Sequence, residues 1–346
     1  RAKLPTEGVP FEVEGRIAAR APVALTNRYV PFLPVRGWIG VDVDARYDGR
    51  HVLPELEGRL EGGGLELERY RLAQTLSADI RIAGDQIFSN QFEFTMADGR
   101  IRLSNVVVDP IDPDSPDEQL RVEAVDIAGV RFPGLMRDLG VTPRTIVAWT
   151  LDHVRATSVK GRFAPLRIDG DLRAETSDFA VFDRAFNDPQ RERMIGVDEA
   201  KLHGRFIVRP DAFVLSGMQV DFSRSHIETT VSIGFDNDIA LEVGPATRIE
   251  LGDVSPIGKL DMAGRASLSV GMKGKGDDLL LQGDVSVAGL ELGSFPIGDV
   301  TSAKVRFRPL WVEFTEIQAK KNKSTYYASR ARLDFGGPSA VLAEAD

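Results

Sequence analysis

The chain has 346 residues, with 43 Lys and Arg against 52 Asp and Glu and a net charge of −9. That balance excludes a phosphate-neutralising basic surface, so nucleic acid is not an expected partner. Hydrophobic residues at 42% and charged residues at 27% exclude a disordered chain, and the absence of cysteine excludes disulfides, zinc ribbons, Fe–S sites and thiol nucleophiles. The length fits two domains or one long all-β unit, and 33 Gly with 19 Pro imply many turns.

Taken in chain order, the dominant signal is alternation of apolar and polar residues. Phe11-Glu-Val13-Glu-Gly-Arg-Ile17 alternates, as do Trp38-Ile-Gly-Val41-Asp-Val43 and Leu65-Glu-Leu67. Ile80-Arg-Ile82, Phe92-Glu-Phe94-Thr-Met96 and Ile101-Arg-Leu103 follow. The second half continues with Leu166-Arg-Ile168, Phe206-Ile-Val208, Phe213-Val-Leu215 and Ile239-Ala-Leu241-Glu-Val243. It closes with Ala266-Ser-Leu268-Ser-Val270, Val285-Ser-Val287, Leu290-Glu-Leu292 and Val305-Arg-Phe307. A period of two means strands with one apolar and one wet face, which favours antiparallel pairing. Roughly two dozen strands are expected. Two stretches break the rhythm and are read as helical insertions, approximately 132–150 and 183–194. Pro133 and the pairs Thr142-Pro143 and Asp188-Pro189 supply helix-start signals, and Gly140 a stop. No run of 18 apolar residues is present, so no helix of this sequence is expected to span a bilayer. The chain begins with Arg and no signal-peptide core follows. It is read as an internal fragment of a longer protein.

Catalytic signatures are weak. His51, His153, His203 and His226 lack the spacing of metal-binding pairs and are read as surface or edge residues. The acidic loop Asp109–Glu118 lacks the glycine and the bidentate glutamate of a calcium-binding loop. Gly271-Met-Lys-Gly274-Lys-Gly276 is not a phosphate loop and is read as a hairpin turn. The run Lys320-Lys321-Asn-Lys323 is read as solvated, with a lipid headgroup contact as the alternative. No enzyme activity, metal or cofactor is expected.

An internal repeat carries more. Gly64-Leu-Glu-Leu67 recurs as Gly289-Leu-Glu-Leu292, 225 residues on, and at that offset residues 56–109 align with 281–334 without a gap. A third copy lies between, placing the repeats at approximately 36–109, 160–235 and 262–336. Units that cannot bury an apolar face alone must stack into an array. The Gly-punctuated strand pairs Gly264-Arg-Ala-Ser-Leu268-Ser-Val270 and Leu281-Gln-Gly283-Asp-Val285-Ser-Val287, with the phrases Leu290–Asp299 and Asp253–Gly258, resemble the AsmA-like superfamily, in particular TamB-type proteins. The resemblance covers roughly 36–336 and is carried by a rhythm, not by a catalytic motif. It implies a sheet curled into a long trough with an apolar inside, anchored in the inner membrane and crossing the periplasm. It also implies phospholipid as ligand, an outer-membrane barrel as partner of parts outside this sequence, and a link to outer-membrane protein assembly.

The expectation is an all-β, mainly antiparallel, elongated sheet curled into an apolar groove, a β-taco, that conducts lipid acyl chains. Alternation assigns Leu65, Leu67, Ile80, Ile82, Phe92, Phe94, Phe206, Val208, Phe213, Leu215, Leu268, Val270, Leu290, Leu292, Val305 and Phe307 to the lipid-facing side. Glu66, Arg81, Glu93, Ser269, Glu291 and Arg306 belong to the wet side. The second reading is a scaffold whose edge strand pairs with client strands by augmentation.

Overall fold

The computed structural model describes residues 2–3, 12–23, 35–67, 70–109, 118–138, 147–163, 165–182, 188–191, 193–234, 238–254, 261–275, 280–308, 311–334 and 341–345. They divide into two compact units, Arg1–Thr142 with Leu151–Asp171, and Pro143–Thr150 with Leu172–Asp346. Among the described residues the elements are β1 (Ala2–Lys3), β2 (Glu12–Pro22), β3 (Val35–Tyr47), β4 (Glu55–Leu67), β5 (Tyr70–Ala83), β6 (Gln86–Met96), β7 (Gly99–Val108), β8 (Leu120–Arg131), α1 (Phe132–Asp138), β9 (Val147–Phe163) and β10 (Leu166–Phe182). Then come β11 (Arg193–Val208), β12 (Ala212–Phe222), β13 (Ser225–Gly234), β14 (Asp238–Val243), β15 (Arg248–Glu250), α2 (Leu251–Val254), β16 (Met262–Lys275), β17 (Leu280–Leu292), β18 (Phe295–Arg308), β19 (Trp311–Lys321), β20 (Ser324–Asp334) and β21 (Val341–Ala345). The protein is all-β and antiparallel, with two short helices.

In the first unit β1 to β8 pair in chain order, each strand antiparallel to the next. In the second, β11, β12 and β13 pair in order. The far edge of β13 is covered in two pieces, by β14 along Thr229–Ile233 and by β15 at His226. Both pieces pair with β16, and the order then runs through β17, β18, β19, β20 and β21. β9 and β10 pair with each other, and residues of both strands belong to each unit.

The repeat is visible in the strand boundaries. β4 to β7 begin at residues 55, 70, 86 and 99, and β17 to β20 at 280, 295, 311 and 324, an offset of 225 each time. The glycines explain why the offset is exact in space as well. A Cβ on Gly58 would lie 2.1 Å from the Asp42 carbonyl oxygen, and one on Gly283 would lie 2.2 Å from that of Ser269. Both positions let a strand press its backbone onto its neighbour, which any side chain would prevent. Gly64 and Gly289, with φ of 60° and 62°, sit where β4 and β17 shift register against β3 and β16, a left-handed conformation that glycine adopts without steric cost.

The short helices have a shared task. Asp138, at the end of α1 and 2% exposed, accepts a hydrogen bond of 2.8 Å from the Ala97 amide in the turn between β6 and β7. Asp253, in α2, accepts from the Arg224 amide (2.9 Å) and from the Ser223 and Ser225 hydroxyls (3.0 and 2.8 Å) in the turn between β12 and β13. Each carboxylate thus caps a hairpin turn formed earlier in the chain, β6–β7 for Asp138 and β12–β13 for Asp253. Burial alone would raise the Asp253 carboxyl, but these bonds outweigh it and hold the group below the usual carboxylate range.

Several expected elements differ. The helical stretch 132–150 shrinks to α1; Val147–Thr150 belongs to β9, where Val147, Trp149 and Thr150 follow their strand preference. In the stretch 183–194, residues 188–191 form a turn closed by the Asp188 carbonyl accepting the Arg191 amide, and Arg193 and Met194 begin β11. The glycine-rich run Gly271–Lys275 is strand, not turn, because β14 pairs with it from Glu242↔Gly271 to Asp238↔Lys275. The Thr142-Pro143 signal, Gly140, most of the Asp109–Glu118 loop, residues 255–258 and the Leu67 side chain lie outside the described residues.

Two outcomes are expected. Gly58→Ala destabilises the first unit by at least about 2 kcal/mol in urea denaturation, since the clash is with backbone. Gly15→Ala, whose Cβ would meet nothing within 4 Å, is near neutral. Asp253→Asn costs about 1–3 kcal/mol at pH 7. The Asp253 carboxyl titrates lower folded than unfolded, so its contribution is complete above the unfolded value of about 3.9 and is lost as pH falls through the folded one. The stability gap between wild type and Asp253→Asn, measured by thermal denaturation, therefore narrows once pH falls below the unfolded value and is lost only below the folded one.

Candidate functional site

Antiparallel register decides which side chains share a face, because residues directly opposite each other point the same way. In the second unit the pairings Phe206↔Leu215, Leu215↔Val231, Val231↔Leu241, Leu241↔Met272, Met272↔Leu281, Leu281↔Phe307, Phe307↔Val312 and Val312↔Leu333 chain end to end. They make an unbroken apolar row across nine strands, about 38 Å at the usual strand spacing. A parallel row runs Val208↔Phe213, Phe213↔Ile233 and Ile233↔Ile239, and Phe206 stacks on Phe213 at 6.5 Å. In the first unit, Ala19↔Val41, Val41↔Leu60, Leu60↔Ala78, Ala78↔Phe92, Phe92↔Leu103 and Leu103↔Val125 give a row across seven strands. Beside it runs Ala21, Ile39, Gly62, Leu76, Phe94, Ile101 and Ile127.

The alternation slips by one residue within several strands, and the structure restores the face at each slip. In β19, Val312 and Phe314 precede the slip and Ile317 and Ala319 follow it; all four belong to one apolar cluster with Val300 and Val305. Glu316, between them, adopts φ 54°. Asn105 in β7 (φ 50°) is left-handed likewise, without a register shift against β6 or β8, and Gly217 in β12 (φ 58°) sits where the register against β13 shifts, a bulge that spends one extra residue.

Burial is graded across this face. The buried apolar residues are nearly all Ala and Val, with Met218 and Phe222 the larger exceptions among the described residues. The large side chains of the rows, including Leu76, Phe92, Phe94, Phe206, Leu281 and Phe307, are only half-buried. Small residues sit under the rows and large ones form their surface, with no second layer of described residues covering them. Apolar surface left in this way is a site for an apolar partner.

The opposite face is charged. Arg16 grips Asp42 through two bonds of 2.8 and 2.7 Å. Glu93 lies 3.0 Å from Arg102 and 3.4 Å from Arg100, and Lys304 lies 2.6 Å from Glu316. Glu313, 7% exposed, is held between Arg306 (3.5 Å) and Arg330 (2.6 Å). Exposed pairs of this kind add little stability each; their effect is to keep this face wet.

The sequence-assigned residues fall as follows. Ile80, Ile82, Phe92 and Phe94 share the apolar face of the first unit, and Phe206, Val208, Phe213, Leu215, Leu268, Val270, Val305 and Phe307 that of the second, where Val270 and Val305 are buried beneath the surface. Leu290 joins the same cluster. Leu292 lies opposite Phe295 at the end of β17, and Leu65 lies opposite Ala73 where the register shifts, so neither extends a row. Arg81, Ser269, Glu291 and Arg306 are exposed, and Glu66 and Glu93 half-exposed. The rows also contain Leu60, Leu76, Val231, Leu241, Met272, Leu281, Val312 and Leu333, none of which the sequence reading assigned to a face, and Met272 lies in the run it read as a turn.

Polar constellations do not converge. His51 shares a 3.3 Å hydrogen bond with Asp85 and His226 one of 2.7 Å with Asp221, while His153 and His203 are exposed. Asp109 accepts a 2.6 Å bond from Gln86, and Glu118 lies 3.8 Å from Lys160. Among the described residues no group of three His, Asp or Glu is placed to hold a metal, and no helix is long and apolar enough to cross a membrane. Two open clefts, of about 640 and 620 Å³, mix apolar and polar residues, Leu56 and Ile82 with Glu57 and Arg81 in one, Val243 and Val270 with Glu242 and Ser269 in the other. Neither is a dry cavity. Compared with known protein families, curated proteins and solved structures, the chain has no match.

Proposed function

We propose that the protein is a passive conduit for phospholipid, whose acyl chains lie on the apolar rows while the headgroups stay in water. The observation that carries this reading is the unbroken row from Phe206 to Leu333, half-exposed along its length and backed by a charged face. Its residues carry no polar handle, so their natural counterpart is hydrocarbon. A tail in water costs about 0.8 kcal/mol per CH₂, and a continuous apolar floor removes most of that cost without any catalytic step. The resemblance to TamB-type proteins supports the setting, with transfer between inner and outer membranes across the periplasm, an inner-membrane anchor and an outer-membrane barrel partner supplied by regions outside this sequence. Direction would come from elsewhere in such an assembly.

Native mass spectrometry of the purified chain is expected to show co-purifying phospholipid. Photo-crosslinkers at Phe94 and Phe307 capture lipid, and those at Glu93 and Arg306 do not; equal capture at both pairs sinks the assignment. In the longer protein, Phe307→Arg abolishes transfer while circular dichroism shows an unchanged sheet, because a half-exposed side chain can carry its charge out to solvent. Phe307→Leu is nearly silent. Full complementation of an envelope-permeability defect by folded Phe307→Arg would favour the scaffold reading instead.

A further inference from the structure

In the second unit, burial on the apolar face is lopsided along the strands. Each strand runs between two ends of the sheet. One end holds the β12–β13 turn and α2, and the other holds the turn between β11 and β12 and the last residues of β16 and β18. The buried side chains lie toward the α2 end, as Met218 and Phe222 do in β12 and Val285 and Val287 in β17. Leu251 of α2 packs against their cluster there. Toward the other end Phe213, Met272 and Phe307 are half-buried, and Ile233 is 42% exposed. The apolar surface left open is a band along that end. From Ile233 to Thr229, which lies opposite the buried Met218, the band is about 14 Å deep at the usual rise per residue. One leaflet of a bilayer has a hydrocarbon depth of about 15 Å.

The cations divide between the two ends in the same sense. At the α2 end, Arg224 lies 3.6 Å from the buried Asp253 carboxylate and Arg265 lies 2.5 Å from Glu250. Arg248 donates to the Pro245 and Thr247 carbonyls. At the open end, Lys273 is exposed and has no ion pair among the described residues. Arg209 meets Asp211 at 3.6 Å, with 47% and 74% of their side chains exposed. Arg209 and Arg308 hold equivalent places, 99 residues apart. Each follows the last apolar residue of its strand, Val208 or Phe307, and precedes a proline. Asp211 and Asp238 share this end and are exposed, so it offers both signs of charge.

We propose that phospholipid sits on this unit with its phosphate at the Arg209, Lys273 and Arg308 end and its tails running across the strands toward α2. The proposal rests on the conduit reading and adds an orientation to it. A phosphate cannot cross the dry face without losing its hydration, and for a tail on Phe213 or Phe307 the open end is the nearest water. Guanidinium and ammonium groups bind phosphate oxygens through charge-assisted hydrogen bonds. The acidic residues suit the amine of a zwitterionic headgroup such as phosphatidylethanolamine. Along the end the three cations stand about 19 and 10 Å apart at the usual strand spacing, so a lipid moving along the sheet passes from one to the next.

The test loads the purified chain with phosphatidylethanolamine carrying a diazirine either in the first carbons of its tails or at their ends. The proximal probe is expected to mark Phe213, Ile233 and Phe307, and the distal probe Thr229, Val243 and Phe314. The reversed pattern, or one pattern for both probes, overturns the proposal. Capture of neither probe anywhere on the face overturns the conduit reading and this proposal with it. Combined Arg209→Gln, Lys273→Gln and Arg308→Gln substitution lowers retained phosphatidylethanolamine by at least about tenfold and leaves retained diacylglycerol, which has no phosphate, unchanged. Combined Lys320→Gln, Lys321→Gln and Lys323→Gln substitution, at the opposite end of the strands, changes neither. Equal loss from both sets overturns the assignment of the phosphate to this end. Should circular dichroism show the first variant unfolded, Arg209→Gln with Lys273→Gln gives the same readings.

Discussion

Everything in this protein depends on cross-strand register. A strand exposes alternate residues to opposite sides, so a shift of one residue moves its whole apolar set into water. A sheet with one dry face across many strands has to satisfy that parity at every pairing. Most of the pairings here do so residue for residue, as from Val231 through Leu241 to Met272. Where the alternation slips, a left-handed position such as Glu316, Asn105 or Gly217 stands at the slip and the next apolar side chain returns to the face. These positions are therefore part of what keeps the face continuous.

A second constraint is thickness. With Ala and Val buried and Phe and Leu half-exposed, the apolar side of each unit has the layered order of a core without its opposite half. Hydrophobic burial still holds the sheet, through small side chains packed between strands and through close backbone approach at Gly58 and Gly283. The remaining apolar area is the surface available for hydrocarbon. On the far side, cross-strand ion pairs such as Arg16 with Asp42 keep the sheet soluble there and discourage a second layer from packing on the wrong face.

The repeat shows how one scaffold tolerates different chemistry. Asp79 in the first copy accepts bonds from the Gln91 and Asn90 amides and the Ser89 hydroxyl. At the same offset in the third copy stands Lys304, and opposite it, in place of Gln91, stands Glu316, joined to it at 2.6 Å. The two positions interlock in both copies, once by capping a bulge and once by an ion pair. What is preserved is the connection between neighbouring strands, and either sign of charge can make it.

The sequence by itself determined the all-β class, the antiparallel sense and the 225-residue repeat, because alternation and turn residues are local signals that survive without a structure. It overestimated helix at 147–150 and turn at 271–275, where local proline and glycine signals gave way to pairing with strands distant in the chain. Only the tertiary structure decided which strands oppose one another. The row from Phe206 to Leu333 joins nine segments whose phases are unrelated in sequence, and parity within a segment says nothing of its alignment with the next. For the same reason the capping of turns by Asp138 and Asp253 was invisible beforehand. Each aspartate acts on a turn about 30 or 40 residues earlier, and nothing local distinguishes it from any other acidic residue on the surface.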